Sequence, residues 1–225
     1  MLILAFDTTA AACSVALVKD GSAVAHIREL MDQGQAEILM PQIEEVMAKG
    51  QAPYSALDRI AVTTGPGSFT GVRVGLSTAR ALGLAAGKPV VGINSLEAIA
   101  AAVPEVERRR HSVILAVVDT KRGDLYAQLF SAADNAARTA PAALAPADIA
   151  AWIGEERDVL VTGDGAAEAF ASLPGATAST ADPLPDAVIL ARLAQTRTID
   201  PAGPLPLYVL PPKITLAPHG GRLRP

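Results

Sequence analysis

Hydrophobic positions along the chain follow two periods. Residues 2–6 and 13–18 are short continuous apolar runs suited to buried strands. Residues 23–30 alternate apolar and polar behind the turn signal Asp20-Gly21, and read as a third strand. Between 35 and 49 the spacing changes. Ile38, Leu39, Ile43, Val46 and Met47 share one side of an amphipathic helix that Gly50 stops. Residues 57–63 read as a fourth strand, broken by Gly65-Pro66-Gly67. A second helix over 69–86 ends at Gly87, 89–93 form a fifth strand, and a third helix over 96–103 takes Ser95 as its N-cap. An antiparallel opening followed by alternating helix and strand predicts a mixed α/β layer fold.

The charged segment 104–110 divides the chain. Behind it, an apolar run from 112 ends in Asp119-Thr120, as the run 2–6 ends in Asp7-Thr8. Both lead through a turn into another strand, at 13–18 and at 125–130. The two aspartates are half a chain apart, which predicts two similar lobes that each open with strand, Asp-Thr turn and strand. Further on, 134–146 is Ala-rich and without clear period. Short helices are expected at 146–154 and after Gly163-Asp164-Gly165, a strand at 158–162, and helical spacing at 186–196. The expected division is an N-terminal lobe at 1–106, a C-terminal lobe at 107–205, and a Pro-rich, mildly basic arm at 206–225. Beyond Tyr208 the arm's only charges are Lys213, Arg222 and Arg224.

Composition narrows the function classes. Half of the 225 residues are hydrophobic (50%), which excludes a disordered polyelectrolyte. Aromatics are only 4% and Ala is abundant, so the core must be aliphatic with small residues at close contacts. A net charge of -4 is wrong for a chain that grips an RNA backbone alone, so any nucleic-acid role needs a partner's positive surface. Cys13 is the single cysteine, which excludes an internal disulfide and a cysteine zinc site. His26, His111 and His219 are scattered without metal-ligand spacing, so no metal is expected. Ser14 and Ser68 have no base partner that the sequence reveals, and no catalytic residue is assigned. No run reaches the ~20 apolar residues of a membrane span, and the N-terminus has no leader pattern, so a cytoplasmic location is expected.

Three features could carry function. Residues 64–73 (TGPGSFTGVR) place glycines at 65, 67 and 71 before a helix. That spacing is too long for a dinucleotide fingerprint, but it leaves a phosphate cradle open as a reading. Within the helix, Gly71, Gly75, Ala79 and Gly83 recur every four residues. Such a stripe means close backbone approach, either to the chain's own sheet or to a helix of a second subunit. Asp7 and Asp119 end their strands at turns. They either cap their own turn amides or face a nucleotide and Mg²⁺ from two sides of a cleft. Lys121 and Arg122 crowd the second turn against the latter.

These stretches resemble the TsaB (YeaZ) family, Gcp-like and peptidase M22-like proteins of the actin-like ATPase superfamily. The matching segments are ILAFDTTAAACSVAL at 3–17, GPGSFTGVRVG at 65–75, PVVGINS at 89–95 and VVDTKRGDLY at 117–126, with a looser match, PLYVLPP, at 206–212. The resemblance implies a two-lobed actin-like, Hsp70-like (ribonuclease H-like) α/β fold. It implies a noncatalytic dimerisation subunit for the tRNA threonylcarbamoyladenosine (t6A) pathway. That subunit would pair with TsaD, which transfers threonylcarbamoyl to N6 of adenosine 37 in tRNAs reading ANN codons. TsaE, an ATPase, is expected on the pair, tRNA is reached through the complex, and the chain alone is expected to form a homodimer. The partner interface falls on Gly71, Val72, Gly75, Leu76, Ala79, Leu82 and Gly83, and a vestigial nucleotide cleft on Asp7, Thr8, Thr9 and Asp119. No cofactor is expected on the isolated chain, with ATP and Mg²⁺ left to the assembled complex. TsaD's first-helix histidine metal motif has no counterpart in Gln35-Ala36-Glu37-Ile38-Leu39. The competing reading is an actin-like enzyme acting on its own nucleotide, or an M22-type hydrolase.

Overall fold

The computed structural model describes residues 1–210. The expected arm beyond Leu210, with Lys213, His219, Arg222 and Arg224, lies outside the described residues. Two five-stranded sheets form the body. The first contains β1 (Leu2–Asp7), β2 (Ala12–Lys19), β3 (Ser22–Leu30), β4 (Arg59–Gly65) and β5 (Val90–Asn94), in the order β3-β2-β1-β4-β5. The second contains β6 (Val113–Asp119), β7 (Leu125–Ser131), β8 (Ala142–Leu144), β9 (Val159–Thr162) and β10 (Thr177–Ala178), in the order β10-β9-β6-β7-β8. The sheets share one topology. In each, the first strand pairs antiparallel with the second and parallel with the fourth. The strand registers end on Asp7 opposite Ser14 and on Asp119 opposite Leu125, so the repeat read from the two Asp-Thr turns is a repeat of whole lobes.

Alternation along β1 sends Leu4 and Phe6 to one face and Ile3 and Ala5 to the other. The first face meets α1 (Gln35–Lys49) through Leu39, Ile43, Val46 and Met47. It meets α2 (Phe69–Ala86) through Val72, Leu76 and Ala79. In the second lobe, α5 (Ile149–Ile153) and α6 (Ala166–Phe170) cover the corresponding face of β6, β7 and β9.

Two further helices cross over. α3 (Ser95–Ala101) follows the first sheet but packs Leu96, Ile99 and Ala100 against Ile114, Ala116 and Phe130 of the second. α7 (Ala187–Ala194) follows the second sheet but packs Ala187, Leu190, Ala191 and Ala194 on Ile3, Ala16, Ala61 and Ile93 of the first. Five of these α7 contacts and positions are alanines, so the helix rides close to the sheet. Part of the chain's alanine bias is built into that layer. The packing units therefore interleave across the expected lobe boundary near 106.

Several expected elements shift. Asn94, not Ser95, caps α3, because its side chain accepts from the Leu96 amide at 2.9 Å. The charged divider 104–110 holds a short helix, α4 (Glu105–Arg108). The short edge strands β8 and β10 have no alternating pattern long enough to read.

Candidate functional site

The β1–β2 turn is sealed rather than open. Asp7 is fully buried, and its Oδ1 accepts from the Thr9 amide (3.1 Å), the Thr9 hydroxyl (2.6 Å) and the Thr63 hydroxyl (2.5 Å). Its Oδ2 has no partner. Burial raises the Asp7 pKa above its ordinary value, and the Thr63 and Thr9 donors offset this only in part. Thr8 donates to the Gly71 carbonyl at 2.7 Å, and Thr9 Oγ1 lies 3.3 Å from Ser95 Oγ.

Asp119 repeats the local turn with a different outcome. Its Oδ1 accepts from the Lys121 amide at 2.7 Å, the same two-residue Asx contact that Asp7 makes with Thr9. Burial would raise it, but the Lys121 amide and ammonium outweigh that and hold it below the usual carboxylate range. Asp164 accepts from the Asp119 amide at 2.9 Å and is itself pushed up by burial.

The glycine motif closes the same turn. The Ser68 amide donates to the Thr9 carbonyl at 2.8 Å, and Ser68 Oγ takes the Gly71 amide as the α2 N-cap. A Cβ on Gly67 would lie 2.5 Å from the Thr9 carbonyl oxygen. The space a phosphate would need at this helix end is occupied by the chain's own Thr8-Thr9 backbone. Across the turn, Pro183, Leu184 and Pro185 come down beside Thr9, Pro66, Ser95 and Asp164. They leave a crevice of ≈ 10 Å³, no more than one water needs.

That closing segment is anchored at both ends. Arg28 on β3 holds Asp182 through two 2.5 Å contacts. His26, its neighbour on the same strand face, lies 3.0 Å from Asp186, which caps α7 through the Val188 amide at 2.8 Å. Ser14 Oγ lies 3.3 Å from the same His26 nitrogen and accepts from the Ala187 amide. Ser14 thus has a histidine and an aspartate nearby that its sequence context did not reveal. The signal was the period-2 spacing of His26 and Arg28 opposite Ser14. Serine and aspartate crowd one nitrogen, Nε2, instead of lying at opposite ends of the ring, and Ser14 is fully buried. This is a tether for α7, not a proton relay. Cys13 is buried too, and desolvation pushes its thiol up to about 12. Among the described residues no group of three or more His, Cys, Asp or Glu is placed to hold a metal ion.

The small-residue stripe faces inward. A Cβ on Gly71 would sit 1.9 Å from the Thr8 carbonyl oxygen, one on Gly75 2.9 Å from Thr8 Oγ1, and one on Gly83 2.6 Å from Val90. Val72, Leu76 and Ala79 are buried in the first core. Of the residues expected at a partner interface, only Leu82 keeps part of its surface. The expectation is corrected on a steric ground: the close backbone approach that the stripe permits is to the chain's own β1–β2 turn and β4–β5 strands. The outward ridge of α2 carries Phe69, Arg73, Ser77, Arg80, Ala81 and Leu84, with Leu84 87% exposed. α1 exposes Glu37, Met40, Glu44 and Glu45 beside it.

Paired lobes of one topology, joined through crossing helices around a turn-lined cleft, define an actin-like two-lobed α/β protein whose cleft is shut. Comparison with known proteins gives the lineage. The family model described as "TsaD: tRNA N6-adenosine threonylcarbamoyltransferase" matches residues 28–156. The TsaB proteins of Haemophilus influenzae and Escherichia coli K12 are 36% and 34% identical over 126 residues, 56% of this chain and 52% and 53% of theirs. The chain's match therefore spans about half the length of these curated relatives. The structure of a YeaZ-like protein from Pseudomonas aeruginosa superposes at TM-score 0.78 with 26% identity, covering 93% of this chain and 99% of that one. A polyphosphate/ATP-glucomannokinase from Arthrobacter shares the fold at TM-score 0.52 and 14% identity. The chain belongs to the family of that model and is similar to TsaB (YeaZ) proteins within it. No helix among the described residues is long and apolar enough to cross a membrane.

Proposed function

We propose that this chain is a noncatalytic scaffold subunit of t6A biosynthesis, pairing with a TsaD-type transferase to support threonylcarbamoyl transfer to tRNA. The observation that carries the reading is the ≈ 10 Å³ crevice where an actin-like enzyme would take its nucleotide. It is closed by the 183–185 segment, with Asp7 saturated on one oxygen by threonine donors. The names of the TsaB relatives, as t6A biosynthesis proteins, support the pathway. A TsaD-type transferase of Erythrobacter litoralis, 48% identical over 71 residues, supports the kinship with the proposed partner.

In this reading the pairing surface is the outward face of α1 and α2, not the glycine stripe. An acidic α1 beside a basic α2 is self-complementary about a two-fold axis, so the same face serves a homodimer when the chain is alone. TsaE and tRNA join the pair rather than the free chain, and ATP with Mg²⁺ belongs to that assembly.

Co-purification with the TsaD-type protein of the same organism, followed by a threonylcarbamoylation assay, tests the proposal. Full transferase activity without this chain would overturn it. Calorimetry with Mg-ATP on the isolated chain separates the enzyme alternative. No binding heat is expected, and tight binding lost in both Asp7→Ala and Asp119→Ala would favour an enzyme.

A further inference from the structure

Residues 204–208 form a strap across the outer side of α2, and the body is cut to seat it. Arg80 donates to the Pro204 carbonyl at 2.7 Å, Arg73 Nε to Tyr208 Oη at 3.2 Å, and the Leu207 amide to the Thr64 carbonyl at 2.8 Å. Gly92 is bare where a Cβ would strike Pro204 at 2.6 Å. The Phe69 and Tyr208 rings lie 5.4 Å apart, with the Arg73 guanidinium 3.7 Å from the Phe69 centroid.

The seating leaves an unusual surface. Phe69 is still 45% exposed, Tyr208 43% and Leu205 71%, in a chain with few aromatics. Neither α2 nor the segment 201–210 contains an Asp or Glu. Among the described residues no carboxylate lies within ion-pair distance of Arg73 or Arg80. Both are held by neutral acceptors, so their charge is positioned but uncompensated. Ordered aromatic rings and arginines around exposed apolar side chains are what protein interfaces concentrate at their centres.

We propose that the strap and the outward ridge of α2 are one composite docking surface, whose occupant is a protein face carrying carboxylates among apolar side chains. This rests on the pairing reading above. It adds that the 204–208 strap is part of the interface and that Arg73 and Arg80 receive the partner's acids. The strap orients both guanidiniums before the partner arrives, which lowers the ordering cost of binding.

The test measures affinity for the TsaD-type partner by calorimetry or interferometry at low and high salt. Arg73→Glu/Arg80→Glu is expected to weaken the complex at least about a hundredfold, and Tyr208→Ala about tenfold. Arg73→Lys/Arg80→Lys should stay within about fivefold, because the charge survives. Wild-type binding should weaken with salt. Thermal melts report folding. If the charge-reversed chain fails to fold, Leu205→Glu, on a 71%-exposed side chain, decides, with about tenfold loss expected. Wild-type affinity in these variants would overturn the surface while leaving pairing intact. So would loss of tRNA binding with partner affinity unchanged, which would make the patch an RNA contact. A wild-type chain that does not pair at all overturns the proposed function and this surface with it.

Discussion

Gly71→Ala asks directly which way the α2 stripe faces. The added methyl would lie 1.9 Å from the Thr8 carbonyl oxygen and 2.9 Å from its carbon, both backbone atoms of a turn pinned by Asp7. No rotamer relieves such a contact, so the helix or the turn must move. Overpacking of this kind costs about 3 kcal/mol, the upper end of its usual range. Moving the turn also strains the 2.7 Å Thr8-to-Gly71 hydrogen bond, worth about 1 kcal/mol net. Alanine's better helix propensity returns about 1 kcal/mol. The net loss is about 3 kcal/mol, a large share of the ~5–15 kcal/mol that holds a typical domain. At roughly 2–4 °C per kcal/mol for this size, melting should fall by about 6–12 °C. Scanning calorimetry or a urea titration followed by circular dichroism reads this on the isolated chain. Ser77→Ala, on the outward ridge, should melt like wild type. A Gly71→Ala chain that melts within about 2 °C of wild type yet no longer pairs would refute the reasoning, since the stripe would then face a partner.

Three further outcomes follow from the buried groups. Asp7→Asn keeps the acceptor for all three donors and removes the titration. Because burial raises Asp7 above its ordinary 3.8, the unfolded chain loses this proton first, and wild-type stability falls as pH rises from 3.8 through the folded value. The Asn variant's stability relative to wild type, by urea titration, should therefore grow as pH rises above 3.8; a constant difference would contradict the burial. Asp186 behaves oppositely. Burial would raise it, but His26 and the Val188 amide outweigh that and hold it low, so its stabilisation is present above 3.8 and is lost as pH falls through the lowered value. Asp186→Ala should cost about 1–3 kcal/mol at neutral pH by urea titration and lose that dependence; an unchanged midpoint would dismiss the tether. Native Cys13, with its thiol pushed up to about 12, should resist a thiol reagent such as DTNB until the chain is unfolded; rapid native labelling would disprove its burial.

What the sequence made legible was local or repeated. Strand–turn–strand units with Asp-Thr at the turn were readable twice, and the amphipathic period of α1 survived into the structure, Pro41 included. The stripe at Gly71, Gly75, Ala79 and Gly83 was legible as close approach but not as a direction. A small residue says that a backbone is near and nothing about whose it is. The crossing of α3 and α7 was not legible, because both helices are apolar on the faces they bury and either sheet would satisfy them. The Ser14, His26 and Asp186 contact was hidden for a related reason. Ser14 and His26 meet across the β2–β3 hairpin, but Asp186 is far away in sequence and joins them only when α7 returns to the first sheet. The strap at 204–208 read as an extended Pro-rich segment. Its seat lies in Gly92 and Thr64, whose roles appear only once the fold places them.

The crossed helices bear on why the cleft is shut. An actin-like body that works on a nucleotide must let its lobes move. Here α7 is fixed to the first sheet along its whole length. Its N-terminus is tied by Ser14 and His26, and its far end by Arg59, which donates to the carbonyls of Ala194 (2.5 Å) and Arg197 (3.0 Å). Arg197 in turn pairs with Glu97 on α3. Opening the cleft would pull Pro183–Pro185 out and drag this helix off an alanine-lined face, exposing Leu190, with about 2 kcal/mol for that side chain alone. It would also break the Arg28 and His26 anchors. The arrangement favours a single closed state. A body held in one state suits the proposed scaffold role, in which an α1/α2 surface is held at fixed geometry, better than that of a cycling ATPase.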